Sequence, residues 1–233
     1  MYHPFSVTET LSIAWHVLKK NFATIAVYTL IAFVVVIGAS FVIYNLIVDE
    51  VVTSIGVVVL LIGISFLFLG FIKLVFQLID KEFYDFGFSD IVPRLKMLIS
   101  YLVLLVIVST IAVFMNNAVR YLGDGIIQSI LGIGIFLFIQ FFFLFYFPIC
   151  ACFIVDDQSG PFESVAQSFN LIKGNFVKYF LLFLLIEAMV VIGTLTRIGM
   201  LFVIPFVNIL LVVAYRKLVY SHLDVDDDIT ETV

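Results

Sequence analysis

Residues 162–176, FESVAQSFNLIKGNF, reappear in altered form at 8–22, TETLSIAWHVLKKNF, at an offset of 154 positions. Glu163 falls on Glu9, Lys173 on Lys19, Asn175 on Asn21 and Phe176 on Phe22. Val165, Phe169 and Ile172 replace Leu11, Trp15 and Leu18 with residues of like character. Each copy runs directly into a long apolar stretch, so the repeated unit reads as a short amphipathic helix feeding a membrane hairpin.

Composition agrees with that environment. Apolar residues make up 64% of the chain, charged residues 12%, and the mean hydropathy is +1.24, against roughly 45–50% and 25% in soluble domains. The chain is therefore expected to be all-α and integral to a membrane. Its net charge of −5 comes from the C-terminal stretch, where Asp224, Asp226, Asp227, Asp228 and Glu231 sit without a Lys or Arg among them. The remainder balances, and no basic face for nucleic acid is present.

Working along the chain, Ser6 and Glu9 have capping-box spacing. In the helix they start, Leu11, Ala14, Trp15, Leu18 and Phe22 fall on one stripe, with His16 and Lys19 opposite. Such a helix lies in the interface, anchored by Trp15 at headgroup depth, as Phe169 would anchor the second copy. Residues 22–48 carry no charge and span about 40 Å at 1.5 Å per residue, enough to cross with tilt. Further spans are expected at 51–79, 98–118, 126–155, 177–196 and 198–215, with a kink at Pro148. Gly56, Gly63 and Gly70 recur every seven residues in the second span and form one helix-packing seam. Gly87 and Asp90 echo the helix start in a degenerate middle copy that Pro93 interrupts. Gly160, Pro161 and Glu163 make a well-formed start for the last copy.

The architecture expected is one membrane domain over 1–220, six transmembrane helices arranged as three hairpins, each preceded by an amphipathic cytoplasmic interfacial helix. Its pseudo-repeats cover about 6–79, 86–155 and 160–220, and 221–233 form a mobile acidic tail. Lys19, Lys20, Lys81, Arg94, Lys96, Lys173, Lys178, Arg216 and Lys217 fall on one side, against Arg120 and Arg197 on the other. That bias places both termini in the cytoplasm.

Glu187, near the middle of the fifth span in LLIEAMV, is the sharpest candidate, since a carboxylate in hydrocarbon requires a partner or marks a pathway. Lys73, two turns inside the second span, could pair with it if the spans are neighbours. Three readings stay open for Glu187: a hydrogen bond between helices, a proton or substrate relay, and a contact for another protein. Cys150 and Cys152 have no second ligand pair for a metal and read as small apolar residues. No hydrolase elbow or phosphate loop is present, so neither a catalytic residue nor a cofactor is assigned.

Residues 156–176 with their following span, together with IGMLFVIPFVNILLVVAYRKLVY at 198–220, resemble a bacterial group of six-helix inner-membrane proteins. That group includes the membrane domain beside some glycerophosphoryl diester phosphodiesterases. Glu163 and Ser168, Lys173 to Asn175, the Ile-Gly of the sixth span and Ala214–Tyr215 carry the resemblance. It implies an auxiliary module of the bacterial inner membrane, without the catalytic barrel of the fused relatives. The expected function is a non-enzymatic accessory or scaffold subunit in contact with the bilayer and a protein partner at the cytoplasmic face. The alternative is a small transporter or lipid-handling protein built on Glu187, which the parallel sense of the repeats disfavours.

Overall fold

The computed structural model describes residues 5–46, 50–80, 88–121, 125–196 and 199–230. Among these the chain is helical, without strands: α1 (Val7–Lys20), α2 (Phe22–Leu46), α3 (Glu50–Asp80), α4 (Phe88–Ile91), α5 (Leu95–Arg120), α6 (Ile126–Phe141), a π-helical turn (Phe142–Tyr146), α7 (Phe147–Asp156), α8 (Pro161–Lys173), α9 (Phe176–Leu195) and α10 (Met200–Thr230). Six segments are long and apolar enough to cross a membrane: Phe22–Asn45, Ser54–Asp80, Ser89–Arg120, Gln128–Asp156, Phe176–Leu195 and Met200–Tyr220. The chain is a multi-pass membrane protein.

At its centre α3, α7 and α10 touch one another, while α2 rests on α3, α5 on α6, and α9 on α10. The short helices complete a ring. The first, α1, packs on α10; α4 packs on α3; and α8 packs on α7. Each lies on the second helix of a pair, and the first closes back on the last.

The core is strongly polarised along the bundle. Buried side chains cluster at 69–76 of α3, 97–104 of α5, 145–155 through the π turn and α7, 179–186 of α9 and 206–218 of α10. All lie toward the end where α3, α7 and the membrane part of α10 terminate. In the opposite halves large apolar side chains face outward, among them Val34, Ile37 and Phe41 of α2, Val58 and Val59 of α3, and Phe136 and Phe138 of α6. Val119 and Gly193 are exceptions, buried near the far ends of their helices.

Local chemistry departs from the sequence reading in four places. Ser6 makes no capping hydrogen bond through its side chain, and Glu9 reaches Lys217 instead of its own helix start. Around Pro148 the helix does not simply bend. The imide nitrogen cannot donate, and the turn before it relaxes to π geometry, with Phe147 N–H bonded to Phe142 O. Tyr179, fully buried, donates its hydroxyl to Phe145 O at 3.0 Å, which satisfies irregular backbone at membrane depth from a neighbouring helix. The degenerate middle copy amounts to α4, four residues ended by Pro93, which disfavours helix at the residue before it; Gly87 lies outside the described residues. Finally, α10 continues through Thr230, so the stretch expected as a separate tail carries on as helix to that point.

The packed face of α1 consists of Thr10, Ala14, Val17 and Leu18, and the packed face of α8 of Ser164, Ser168, Leu171 and Ile172. These are the same positions at the offset of 154. Of the apolar stripe, Ala14 and Leu18 belong to this face, while Leu11 and Trp15 lie to one side of it, with Trp15 51% exposed.

Candidate functional site

Two places concentrate polar chemistry. The first is a knot where the inner helices end. Arg216 of α10 donates through Nη1 to Asp156 Oδ2 of α7 at 2.7 Å, and through Nη2 to Asp80 of α3. Tyr215 donates its hydroxyl to the same Asp156 oxygen at 3.0 Å. One guanidinium thus joins all three central helices, using the planar fork that distinguishes Arg from Lys. Its plane rests on Phe76, 4.5 Å from the ring centroid, and Tyr215 is held edge-on between Phe76 and Phe153. The Arg216 side chain is 18% exposed, those of Asp156 and Asp80 23% and 40%. The knot is therefore partly desolvated, and its Nε is buried without a hydrogen bond. Next to it Lys217 Nζ holds Glu9 Oε1 of α1 at 2.5 Å, which ties the first short helix to the last span.

Beyond the end of α7, Asp157 is held above the usual carboxylate range by partial desolvation and then by the adjacent Asp156 carboxylate. The turn that follows places Gln158 at φ 55°. Ser159 donates its hydroxyl to Gln167 Oε1 at 2.8 Å, and Gly160 N–H donates to Glu163 at 3.2 Å, which fixes the entry into α8.

The second place is Glu187. It lies half-buried on α9, one turn beyond Phe183, whose ring meets Phe141 edge-on at 5.7 Å. No described residue offers it a hydrogen bond or an ion pair. Lys73 does not serve it. The Lys73 ammonium donates to Val92 O at 2.8 Å, satisfying a carbonyl beside the Pro93 break and fastening α3 to the connection between α4 and α5.

The expected glycine seam is discontinuous. A side-chain carbon at Gly56 would meet Ile43 at 3.2 Å, and one at Gly70 would meet the Tyr28 hydroxyl at 2.5 Å. Nothing lies within 4 Å of the corresponding point at Gly63. Side chains of α2 thus lie against the two outer glycines of α3 and not against the middle one. Tyr28 is keyed over Gly70 by donating to Leu67 O at 2.8 Å. The two interfacial aromatics also acquire partners: Trp15 packs edge-on against Phe206 at 5.9 Å with Lys19 over its ring, and Phe169 packs on Tyr146 at 4.1 Å. Cys150 and Cys152 are buried, free thiols in α7.

The knot was missed from sequence because each member reads as an ordinary charge at a span end. Only the convergence of α3, α7 and α10 brings them together. The chain matches no protein-family profile, no curated protein and no solved structure.

Proposed function

We propose that this chain is a non-enzymatic accessory or scaffold subunit of a bacterial inner membrane, built as three hairpins introduced by cytoplasmic interfacial helices, with both termini in the cytoplasm. The observation that carries this reading is the polarised packing. One end is locked by Arg216, Asp80, Asp156 and Tyr215, and by the docking of α1 on α10. The opposite halves of the spans keep apolar faces available to other helices. A rigid polar base with open membrane faces suits a protein that assembles with others. The matching buried positions of α1 and α8 support an internal repeat, and the resemblance to the membrane domain beside phosphodiesterases fits an auxiliary role. Mass spectrometry of the chain extracted with its lipid in polymer nanodiscs tests it. A stoichiometric protein partner, lost when the exposed faces at Phe41 or Phe138 are made polar, is expected. Recovery of the chain alone under gentle extraction sinks the scaffold reading.

Glu187 favours a second reading, a small transporter, because an intramembrane carboxyl lacking a partner among the described residues suits a relay. A pH-dependent flux in proteoliposomes that disappears with Glu187→Gln would establish it; equal flux in the variant removes it.

A further inference from the structure

We infer that a lateral cleft between α2, α3 and α10 is a binding site for one hydrocarbon tail of a bilayer lipid. The cleft encloses about 290 Å³. Tyr28, Ala32 and Val36 line it from α2, Ile64 and Leu67 from α3, and Pro205 from α10. Its length follows from the helix rise. Eight residues separate Tyr28 from Val36, which at 1.5 Å each gives about 12 Å along the bundle. It opens sideways, because Ile64 and Ile204 at its rim are 44% and 39% exposed, and all its walls belong to segments able to cross a membrane. What adjoins the opening is therefore bilayer.

The occupant follows by elimination. Three polar side chains reach the cleft, and each already spends a donor within the protein: Tyr28 on Leu67 O at 2.8 Å, Thr29 on Ile25 O at 2.7 Å, and Asn208 on Ile204 O at 2.8 Å. The remaining lining is apolar, and apolar cavities do not hold water. Empty voids of such a size are uncommon in close-packed protein. A single alkyl chain, narrow and parallel to the spans, matches the shape, the lining and the surroundings.

At one end of the cleft Tyr28 lies over Gly70, and Pro205 lines it from within α10. Leu67 stands thirteen residues from Asp80, about 20 Å along α3, which puts the cleft at the middle of the Ser54–Asp80 span. The inference needs only the membrane placement, and failure of the scaffold reading would leave it standing.

The test is native mass spectrometry after reconstitution of the full chain in vesicles of dioleoyl phosphatidylglycerol and dioleoyl phosphatidylethanolamine, then exchange into dodecyl maltoside. Wild type should retain one phospholipid per chain. Ala32→Phe and Val36→Phe, which fill the cleft, should lower that occupancy at least tenfold, and Val34→Phe on the outward face should leave it unchanged. A second measurement does not depend on the filling variants folding. In a Trp15→Phe background, Phe33→Trp inside the cleft should stay quenched by brominated-tail phosphatidylglycerol after detergent exchange, and Phe41→Trp outside it should not. The inference is overturned if wild type retains no lipid, if both filling variants retain it fully, if neither tryptophan stays quenched, or if the retained species is another polypeptide.

Discussion

Replacing Arg216 by Gln should unlock the base of the bundle, and the size of the effect can be worked from its surroundings. Removing one partner of a fully buried ion pair costs about 3–5 kcal/mol, and an exposed pair contributes about 0.2–1 kcal/mol. Arg216 lies between these limits. Its side chain is 18% exposed, Asp156 is 23% and Asp80 40%, so water screens part of what is lost. The variant also surrenders the stacking of the guanidinium on Phe76, a contact of about 0.5–1 kcal/mol at a partly wet site. Together these give a destabilisation of about 2–3 kcal/mol. Two carboxylates remain near each other without a cation, so the penalty should be relieved when they are neutralised as well. Unfolding in mixed dodecyl maltoside and sodium dodecyl sulfate micelles reads the free energies directly. Arg216→Gln with Asp80→Asn and Asp156→Asn should recover at least half of the single-variant loss, because groups in one network are not additive. Asp156→Asn alone should cost more than Asp80→Asn, since Asp156 is the more enclosed and also accepts from Tyr215. A loss below about 0.5 kcal/mol for Arg216→Gln, or strict additivity of the three substitutions, would refute the claim that this knot holds the inner helices.

Other expectations follow from single contacts. Gly70→Ala forces the Tyr28 hydroxyl off Leu67 O and should cost about 1–2 kcal/mol, whereas Gly63→Ala meets open space and should be neutral or stabilising by up to about 1 kcal/mol through helix propensity; micelle unfolding of the two variants side by side checks the contrast. Tyr179→Phe leaves Phe145 O in the π turn without its donor and should lower stability by about 1–2 kcal/mol in the same assay. Glu9→Gln breaks an ion pair whose side chains are 30% and 51% exposed, so its effect should stay under about 1 kcal/mol and weaken further in 0.5 M salt, measured by protection of a cysteine introduced at Ala14.

The membrane class and the six spans were legible because uncharged runs of helical length have few other uses. Glu187 was legible for the same reason, as a charge standing against such a run. Its supposed partner Lys73 was not, because sequence gives the depth of a residue but not the direction in which a helix presents it. Lys73 faces the proline break at Val92, where a carbonyl awaits a donor. The knot around Arg216 depends on the convergence of three helix ends separated by 76 and 60 residues along the chain, which no local pattern encodes. The π turn was half-legible. Pro148 announced a defect, but not that it would take the form of a wider turn, nor that Tyr179 would reach Phe145 O within it.

The packed faces of α1 and α8 have a more general cause. Hydrocarbon receives Leu11, Trp15 or Phe169 as readily as a protein core does, and helix contact is driven by closeness of approach. Small side chains then turn inward. Thr10, Ser164 and Ser168 can do so because each hydroxyl returns to its own helix, at Ser6 O, Pro161 O and Ser164 O, within 2.7–2.9 Å, leaving no unsatisfied donor at the interface. The face carrying Thr10 and Ala14 packs on α10 and the face carrying Ser164 and Ser168 on α7 for the same reason that Gly70 accepts Tyr28: little stands between the backbones. Enlarging these inward positions should therefore be the more damaging change. Ala14→Leu should displace α1 from α10, whereas Trp15→Leu, on the outward side, should leave it seated. Cysteine accessibility along α1 in vesicles distinguishes the two, and equal exposure in both variants would mean that the stripe of Leu11 and Trp15, not the small residues, holds the helix in place.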